Sequence, residues 1–383
     1  MRKICVVVGS RANYSSIKSA LAAIKARPDL ELQLVVGASA LLDRYGSVVN
    51  VIKKDGFSPS ASVYMLVEGE TPTTMAKSTG LGLMELSSVF DNLKPDIVLT
   101  VGDRFETMAT TLAAAYMNIP LAHTMGGEVS GTIDESIRHA VTKFSHIHFP
   151  ACQDAADRIV RMGERREDVF LVGCPRIDLV AEIVRNDGKD PGPELFKEGV
   201  GGTFDLAKPF VIVSQHPVTT EYGEGERQIN ETLKAVQELG LPAIVLWPNA
   251  DAGSEDVARG IRKFREHEDA AQFHYFKNFP LETYVRLMAR AACVIGNSSA
   301  SIREGAYVGV PAVNVGSRQQ GRQRGKNVID VDHQRGAIAE AVNKQLEHGR
   351  YPPEPIYGDG KAGERIAKVL AECRPQLQKR ITY

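Results

Sequence analysis

Short apolar runs alternate with amphipathic stretches along nearly the whole chain, and this rhythm constrains the fold more than any other feature. Ile4–Val8, Glu31–Val36, Asp96–Val101, Pro120–His123, His146–Phe149 and Val169–Val172 read as strands. Tyr14–Ala26, Gly82–Asn92, Glu106–Met117, Ile133–Phe144 and Gln153–Met162 read as the helices between them. Apolar runs of roughly four to six residues separated by helices suit strands buried on both faces of a parallel sheet. The rhythm breaks over Asn186–Gly202, where seven Gly and Pro residues mark an exposed connection. It resumes with strands at Phe210–Val213, Ala243–Leu246, Phe273–Phe276, Cys293–Ile295 and Ala312–Val315. The economical architecture is α/β, two Rossmann-like doubly wound domains facing a central cleft. The expected boundaries are 1–176, 177–362, and a C-terminal helix at 363–383 packing back toward the first domain.

A chain of 383 residues is long enough for two such domains. Its net charge of −1 offers no electrostatic case for nucleic acid or a membrane surface. No apolar run approaches the roughly 18 to 20 residues of a membrane helix. Met1-Arg2-Lys3 before Ile4–Val8 mimics the start of an export signal, but the apolar stretch stops at Gly9-Ser10-Arg11. The five cysteines are odd in number, widely spaced and free of CxxC, as expected of buried thiols in a reducing, cytoplasmic compartment. The chain lacks GxGxxG after its first strand and lacks GxxxxGK(S/T) altogether, which weighs against dinucleotide oxidoreductases and P-loop NTPases. No histidine pair has metal-ligand spacing beside carboxylates, and His146 and His148 read as structural. The expectation is no metal and no cofactor.

Ligands of open parallel sheets bind beyond the carboxyl ends of the strands, and the informative polar residues fall there. Gly296-Asn297-Ser298-Ser299 leads from a strand into a helix around Ser301–Val308, offering free N–H groups and hydroxyls to a phosphate. Pure capping also fits, with Ser301 and Glu304 as a capping box, and Glu304 stands equally as a partner for sugar hydroxyls. Gly102-Asp103-Arg104 repeats the strand-to-helix shape, although Asp103 and Glu106 also suit a cap. Gly126 to Glu135 gathers three glycines and three carboxylates. Thr132 with Glu135 makes a capping box, while Glu128 and Asp134 remain functional candidates. Arg138 lies four residues after Asp134, so an exposed ion pair is the plain alternative. His216 ends a strand before Pro217. Arg11 follows the first strand, and Gly316 to Arg322 is a polar loop after another. Arg259 and Arg262 share a helix face, a solvated surface or an anion site.

Taken together, Gly9-Ser10-Arg11-Ala12-Asn13-Tyr14-Ser15, Gly102 to Glu106, Gly126 to His139, Gln215-His216-Pro217-Val218-Thr219 and Gly296 to Ser299 resemble the hydrolysing UDP-N-acetylglucosamine 2-epimerases that open sialic and legionaminic acid biosynthesis. The resemblance runs from the first strand to about residue 330. It implies a glycosyltransferase-B-type fold, a UDP-sugar as partner, and release of UDP with a free 2-epimerised sugar. It also implies a homodimer or homotetramer. By motif, Arg11, Ala12, Ser15, Arg104, His216, Asn249, Gly296, Ser298, Ser299, Glu304 and Arg318 would hold the substrate and its nucleotide. Asp103, Glu128, Asp134, Arg138 and His216 would surround the reacting sugar. Met125 departs from the pattern, because many relatives carry an acidic or imidazole side chain there and methionine moves no protons. Either Asp103, Glu128 or Asp134 carries that chemistry, or the pocket suits a less polar 6-deoxy, 4-acetamido sugar.

Overall fold

A computed structural model describes residues 1–382 apart from 44–45, 69–70, 131–132, 187, 189–190, 249–252 and 268–270. Met1–Val129, Ile133–Leu179 and Tyr357–Tyr383 form one compact unit, and Val180–Ile356 the body of a second.

The first unit is built on β1 (Arg2–Val8), β2 (Leu30–Gly37), β3 (Ala61–Val63), β4 (Ile97–Val101), β5 (Leu121–Thr124) and β6 (Ile147–Phe149). They lie in the order β3-β2-β1-β4-β5-β6, all parallel. Successive strand residues face opposite sides. Ile4, Val6 and Val8 therefore pack under the helix Lys18–Ala26, while Cys5 and Val7 pack with Leu86 and Phe90 of the helix Pro72–Leu93. Ile366, Ala367 and Leu370 of the helix Ala362–Glu372 join the first of these cores. Asp178 caps that helix by accepting from the Ala362 and Gly363 N–H groups at 2.9 and 2.7 Å.

The second unit contains β7 (Val200–Gly201), β8 (Val211–Ser214), β9 (Ala243–Leu246), β10 (Phe273–Phe276), β11 (Cys293–Gly296), β12 (Ala312–Val315) and β13 (Val328–Val331). Their order is β13-β12-β11-β8-β9-β10-β7, parallel except for β7 along the edge of β10. Val211 and Val213 face Ile229, Leu233 and Ile338, and Ile212 faces Leu287 and Met288. In each unit the strand order reverses beside the first long strand, between β1 and β4 and between β8 and β11. Such switch points open a crevice at the carboxyl edge.

Three local expectations are corrected. The stretch Tyr14–Ala26 holds two helices, Arg11–Ser15 and Lys18–Ala26, because Ser16 closes the first by donating its N–H to Ala12 and Asn13. Val169–Val172 makes only a single bridge to His148, for the chain turns off at Gly173 to meet Gly358 and Tyr357. A Cβ on Gly173 would stand 2.7 Å from the Gly358 Cα. The helix expected at Gly82–Asn92 starts earlier, at Pro72, under a reciprocal Thr71–Thr74 capping box.

Candidate active site

The first switch point is laced by one buried amide. Asn13 Oδ1 accepts from the Gly9 N–H at 3.2 Å, and its Nδ2 donates to Val101 O at the end of β4 at 3.3 Å. Ser10 caps the short helix by accepting from Asn13 N at 3.2 Å. Arg11 and Ala12 are left exposed at the tip. Ser15 is more committed: its hydroxyl accepts from Arg176 at 2.8 Å and donates to Ala12 O at 3.1 Å.

Three predicted residues meet after β4 and β5. Arg138, 4% exposed on the helix Ile133–Phe144, forms an ion pair with Asp103 and donates to Glu128 O at 2.7 Å. One guanidinium thus holds the tip of β4, the Gly-Gly-Glu loop and its own helix in register. Arg104 is half-exposed, with its Nε 3.1 Å from Glu106 Oε1. Glu106 foremost, then Asp134 and Asp103, raise its pKa, so Asp134 belongs to the same electrostatic field. The cap expected of Asp103 and Glu106 is corrected, because Arg104 is the N-cap of the helix Phe105–Tyr116. Glu106 is 3% exposed, burial raises its pKa, and its second oxygen has no hydrogen-bond partner among the described residues. Its side chain fills the space beside Gly9, where an added Cβ would come within 2.3 Å.

His123 lies one residue before the end of β5, fully buried, donating from Nε2 to Gly102 O at 2.7 Å. Burial pushes its pKa down to about 3, and burial also lowers that of His148 beside it on β6. Gly126 presses on the ring, and a Cβ there would lie 2.9 Å from Nδ1. The next turn requires left-handed backbone at Met125 (φ 63°) and Gly127 (φ 76°). A bulky side chain in that region is a strained outlier. The buried histidine also sets a pH dependence. Its folded pKa lies below the unfolded value of about 6.5, so the unfolded chain binds the extra proton and stability falls as pH drops from there toward 3. Each such histidine contributes a slope of about 1.4 kcal/mol per pH unit in that window. Denaturant titrations from pH 7.5 to 5 are expected to show this loss, with a shallower slope in His123→Gln.

The second switch point repeats the design. Asn297, fully buried, receives the His216 N–H on Oδ1 at 2.7 Å and donates from Nδ2 to His216 O at 2.9 Å. The His216 backbone is thereby clamped and its imidazole left half-buried. The Asn297 carbonyl accepts from Arg318 at 3.2 Å and from Gln319 at 2.9 Å. Gly296 takes φ 125°, and Ser214 O receives the N–H groups of Asn297 and Ser298 at 3.1 and 3.2 Å. Ser298 is the N-cap of the helix Ser299–Val308, so Ser298 and Ser299 stand half-exposed at a positive helix end. The capping box expected at Ser301 and Glu304 is corrected by this start, because Ser301 lies inside the first turn and donates its hydroxyl to Ser298 O at 2.7 Å. Glu304 is 3% exposed.

Asn249 lies outside the described residues, as does Thr132, the proposed cap for Glu135; Glu135 stands 3.5 Å from His139. Arg259 and Arg262 form an ion-paired surface, Arg259 with Asp256 at 2.9 Å and Arg262 with Glu255. The sequence assigns no role to Asn13, Asn297 or Gln319, and to Glu106 only a cap. Their signal is faint, since a buried amide inside a polar motif looks like any turn residue. Among the described residues, no three His, Cys, Asp or Glu side chains gather as metal ligands would, and no helix is long and apolar enough to cross a membrane.

The family model for UDP-N-acetylglucosamine 2-epimerase matches residues 22–371. A Legionella pneumophila UDP-N,N'-diacetylbacillosamine 2-epimerase (hydrolyzing) is 35% identical over 370 residues, covering 97% of this chain and 96% of the relative. A Neisseria meningitidis UDP-N-acetylglucosamine 2-epimerase is 31% identical over 373 residues, covering 97% and 95%. A crystal structure of UDP-GlcNAc 2-epimerase from Neisseria meningitidis bound to UDP-GlcNAc superposes with a TM-score of 0.79 at 16% identity, covering 97% of this chain and 100% of that one. With two doubly wound units whose polar motifs fall at their switch points, this chain belongs to the UDP-N-acetylglucosamine 2-epimerase family.

Proposed function

We propose that the protein is a hydrolysing UDP-N-acetylhexosamine 2-epimerase supplying a free manno-configured sugar for nonulosonic acid synthesis. The observation that carries this is the Arg138–Asp103–Glu128 knot at the carboxyl end of the first sheet. It sets the Asp103 carboxylate beside a buried cation and fixes the main chain at Glu128, as general acid–base work on a sugar requires. The Ser298–Ser299 helix end, with Arg318 and His216, takes the diphosphate, and the residues after β4 and β5 take the sugar.

C2–H of such a sugar is not next to a carbonyl, so a side-chain base needs help from the leaving group. Cleavage of the C1–O bond gives UDP both electrons of that bond and leaves oxocarbenium character that acidifies C2–H. A base from the set Asp103, Glu128 and Asp134 takes that proton, giving UDP and a 2-acetamidoglycal. Water then adds its oxygen at C1, and an acid delivers a proton to the opposite face of C2. N–H groups and hydroxyls at a helix end stabilise the departing diphosphate.

The relatives divide between the 4-acetamido-6-deoxy sugar and UDP-GlcNAc. Met125, half-buried and held at φ 63° before Gly126, supports the less polar sugar. Incubation with each UDP-sugar in heavy water, without acceptor, tests the reaction. Free epimerised sugar, released UDP and deuterium at C2 are expected, with UDP-N,N'-diacetylbacillosamine preferred. Met125→His is expected to move the kcat/KM ratio toward UDP-GlcNAc by about tenfold. An epimer still attached to UDP, or no product, overturns the reading.

The compartment is cytoplasmic in this reading, supported by cysteines that are all free thiols. The assembly is a homodimer or homotetramer, supported by the large apolar side chains exposed on the first unit, Tyr64, Met84 and Tyr116. Light scattering of the purified protein settles the latter.

A further inference from the structure

Three loops at the carboxyl edge of the second sheet meet on one carboxylate that has no part in the chemistry above. Glu221 closes the short 3-10 turn Thr219–Glu221 that follows His216-Pro217-Val218. One of its oxygens accepts from the Ser317 hydroxyl, in the loop that carries Arg318. The other accepts from Gln228 on the following helix Gly225–Glu238 and stands 3.9 Å from His333 Nε2, just after β13. His333 is itself a wedge. It packs where a side chain on Gly316 would go, since a Cβ there would fall 2.1 Å from Nε2, and neither ring nitrogen has a hydrogen-bond partner among the described residues. Gly316 holds φ 79°, so the Gly316–Arg322 turn is formed against the imidazole and tied forward to Glu221.

Asn297 joins the His216 and Arg318 loops from below, through backbone and buried amide. Glu221 joins the same two loops at a second point, Ser317 beside Arg318, 96 residues away in sequence. A loop held at one point only keeps rotational freedom, which is lost when a ligand orders it and weakens binding accordingly.

We infer that Glu221 is a positioning residue that clasps the His216 loop to the Arg318 loop and so preorganises them for the nucleotide diphosphate. The inference rests on the sugar-nucleotide reading above. Glu221→Ala cuts the clasp, whereas Glu221→Gln keeps an oxygen for the Ser317 hydroxyl, and the Gln228 amide can turn its own oxygen toward the new NH2 group.

UDP affinity by calorimetry, steady-state kinetics with the UDP-sugar, and amide exchange across residues 316–322 are to be measured on the full chain and both variants. Glu221→Ala is expected to raise the UDP Kd and the KM about tenfold, leave kcat within about twofold, and speed exchange across that loop. Glu221→Gln is expected to recover most of the affinity. Equal Kd and KM in wild type and Glu221→Ala, even with a lowered Tm, would leave Glu221 a merely structural residue and overturn the inference alone. A wild-type protein that binds no UDP overturns the functional reading and this inference with it.

Discussion

Asp103→Asn is expected to slow turnover of the UDP-sugar by about 100- to 10,000-fold while leaving UDP affinity within about twofold. The substitution is nearly isosteric, and an amide oxygen still accepts from Arg138, whose burial at 4% exposure makes a lost partner costly. What disappears is the negative charge at the tip of β4, within reach of Arg104 and Asp134. Asp103→Ala is a different experiment. It strips Arg138 of its ion-pair partner, so lost activity there mixes chemistry with a displaced helix Ile133–Phe144. The Asn variant separates the two. UDP release under saturating substrate reads the chemical step, calorimetry reads the nucleotide site, and a thermal scan checks the fold. Unaltered turnover in Asp103→Asn removes this carboxylate from the proton transfers and leaves Glu128 and Asp134 to carry them.

The strands were legible because parallel strands covered on both faces must be apolar throughout, as Ile4–Val8 and Val211–Val213 are. The strands that escaped notice break that condition. Ala61–Val63 is only three residues long, and Val328–Val331 is partly exposed at the sheet edge with Asp330 in its middle. Val169–Val172 has the right composition, yet lacks a sheet partner beyond one bridge because tertiary contact with the returning chain claims it. Position in the topology explains the site likewise. Residues at strand ends, among them Asp103, His216 and Ser298, announce themselves by following an apolar run and preceding a helix. The residues that fasten them do not. Asn297 acts across 81 positions to reach His216, and Asn13 across 88 to reach Val101. Neither distance leaves a local pattern, and a buried Glu106 beside Gly9 looks in sequence like an ordinary first-turn carboxylate.

Gly296→Ala is expected to destabilise the second unit strongly. At φ 125° the backbone occupies a region that side chains rarely adopt, and leaving it costs roughly 1–3 kcal/mol. The added Cβ would also stand 2.3 Å from Ser214 O, the carbonyl that receives both Asn297 N–H and Ser298 N–H. Moving either group sacrifices two hydrogen bonds worth roughly 0.5–1.5 kcal/mol each, which with the backbone cost totals roughly 2–6 kcal/mol. The thermal transition of that unit should fall by roughly 4–24 °C. UDP affinity should fall with it, because Ser298 and Ser299 are displaced from the start of the helix Ser299–Val308. Gly336→Ala is the control: it lies in the first turn of the helix Arg335–His348 where an added Cβ meets open space, so alanine should leave Tm unchanged or slightly raised. The contrast isolates backbone conformation from helix propensity and from the mere addition of a methyl group. If Gly296→Ala keeps both the wild-type Tm and the wild-type Kd for UDP, the turn after β11 is not under the constraint described, and the serine pair loses its claim to the diphosphate.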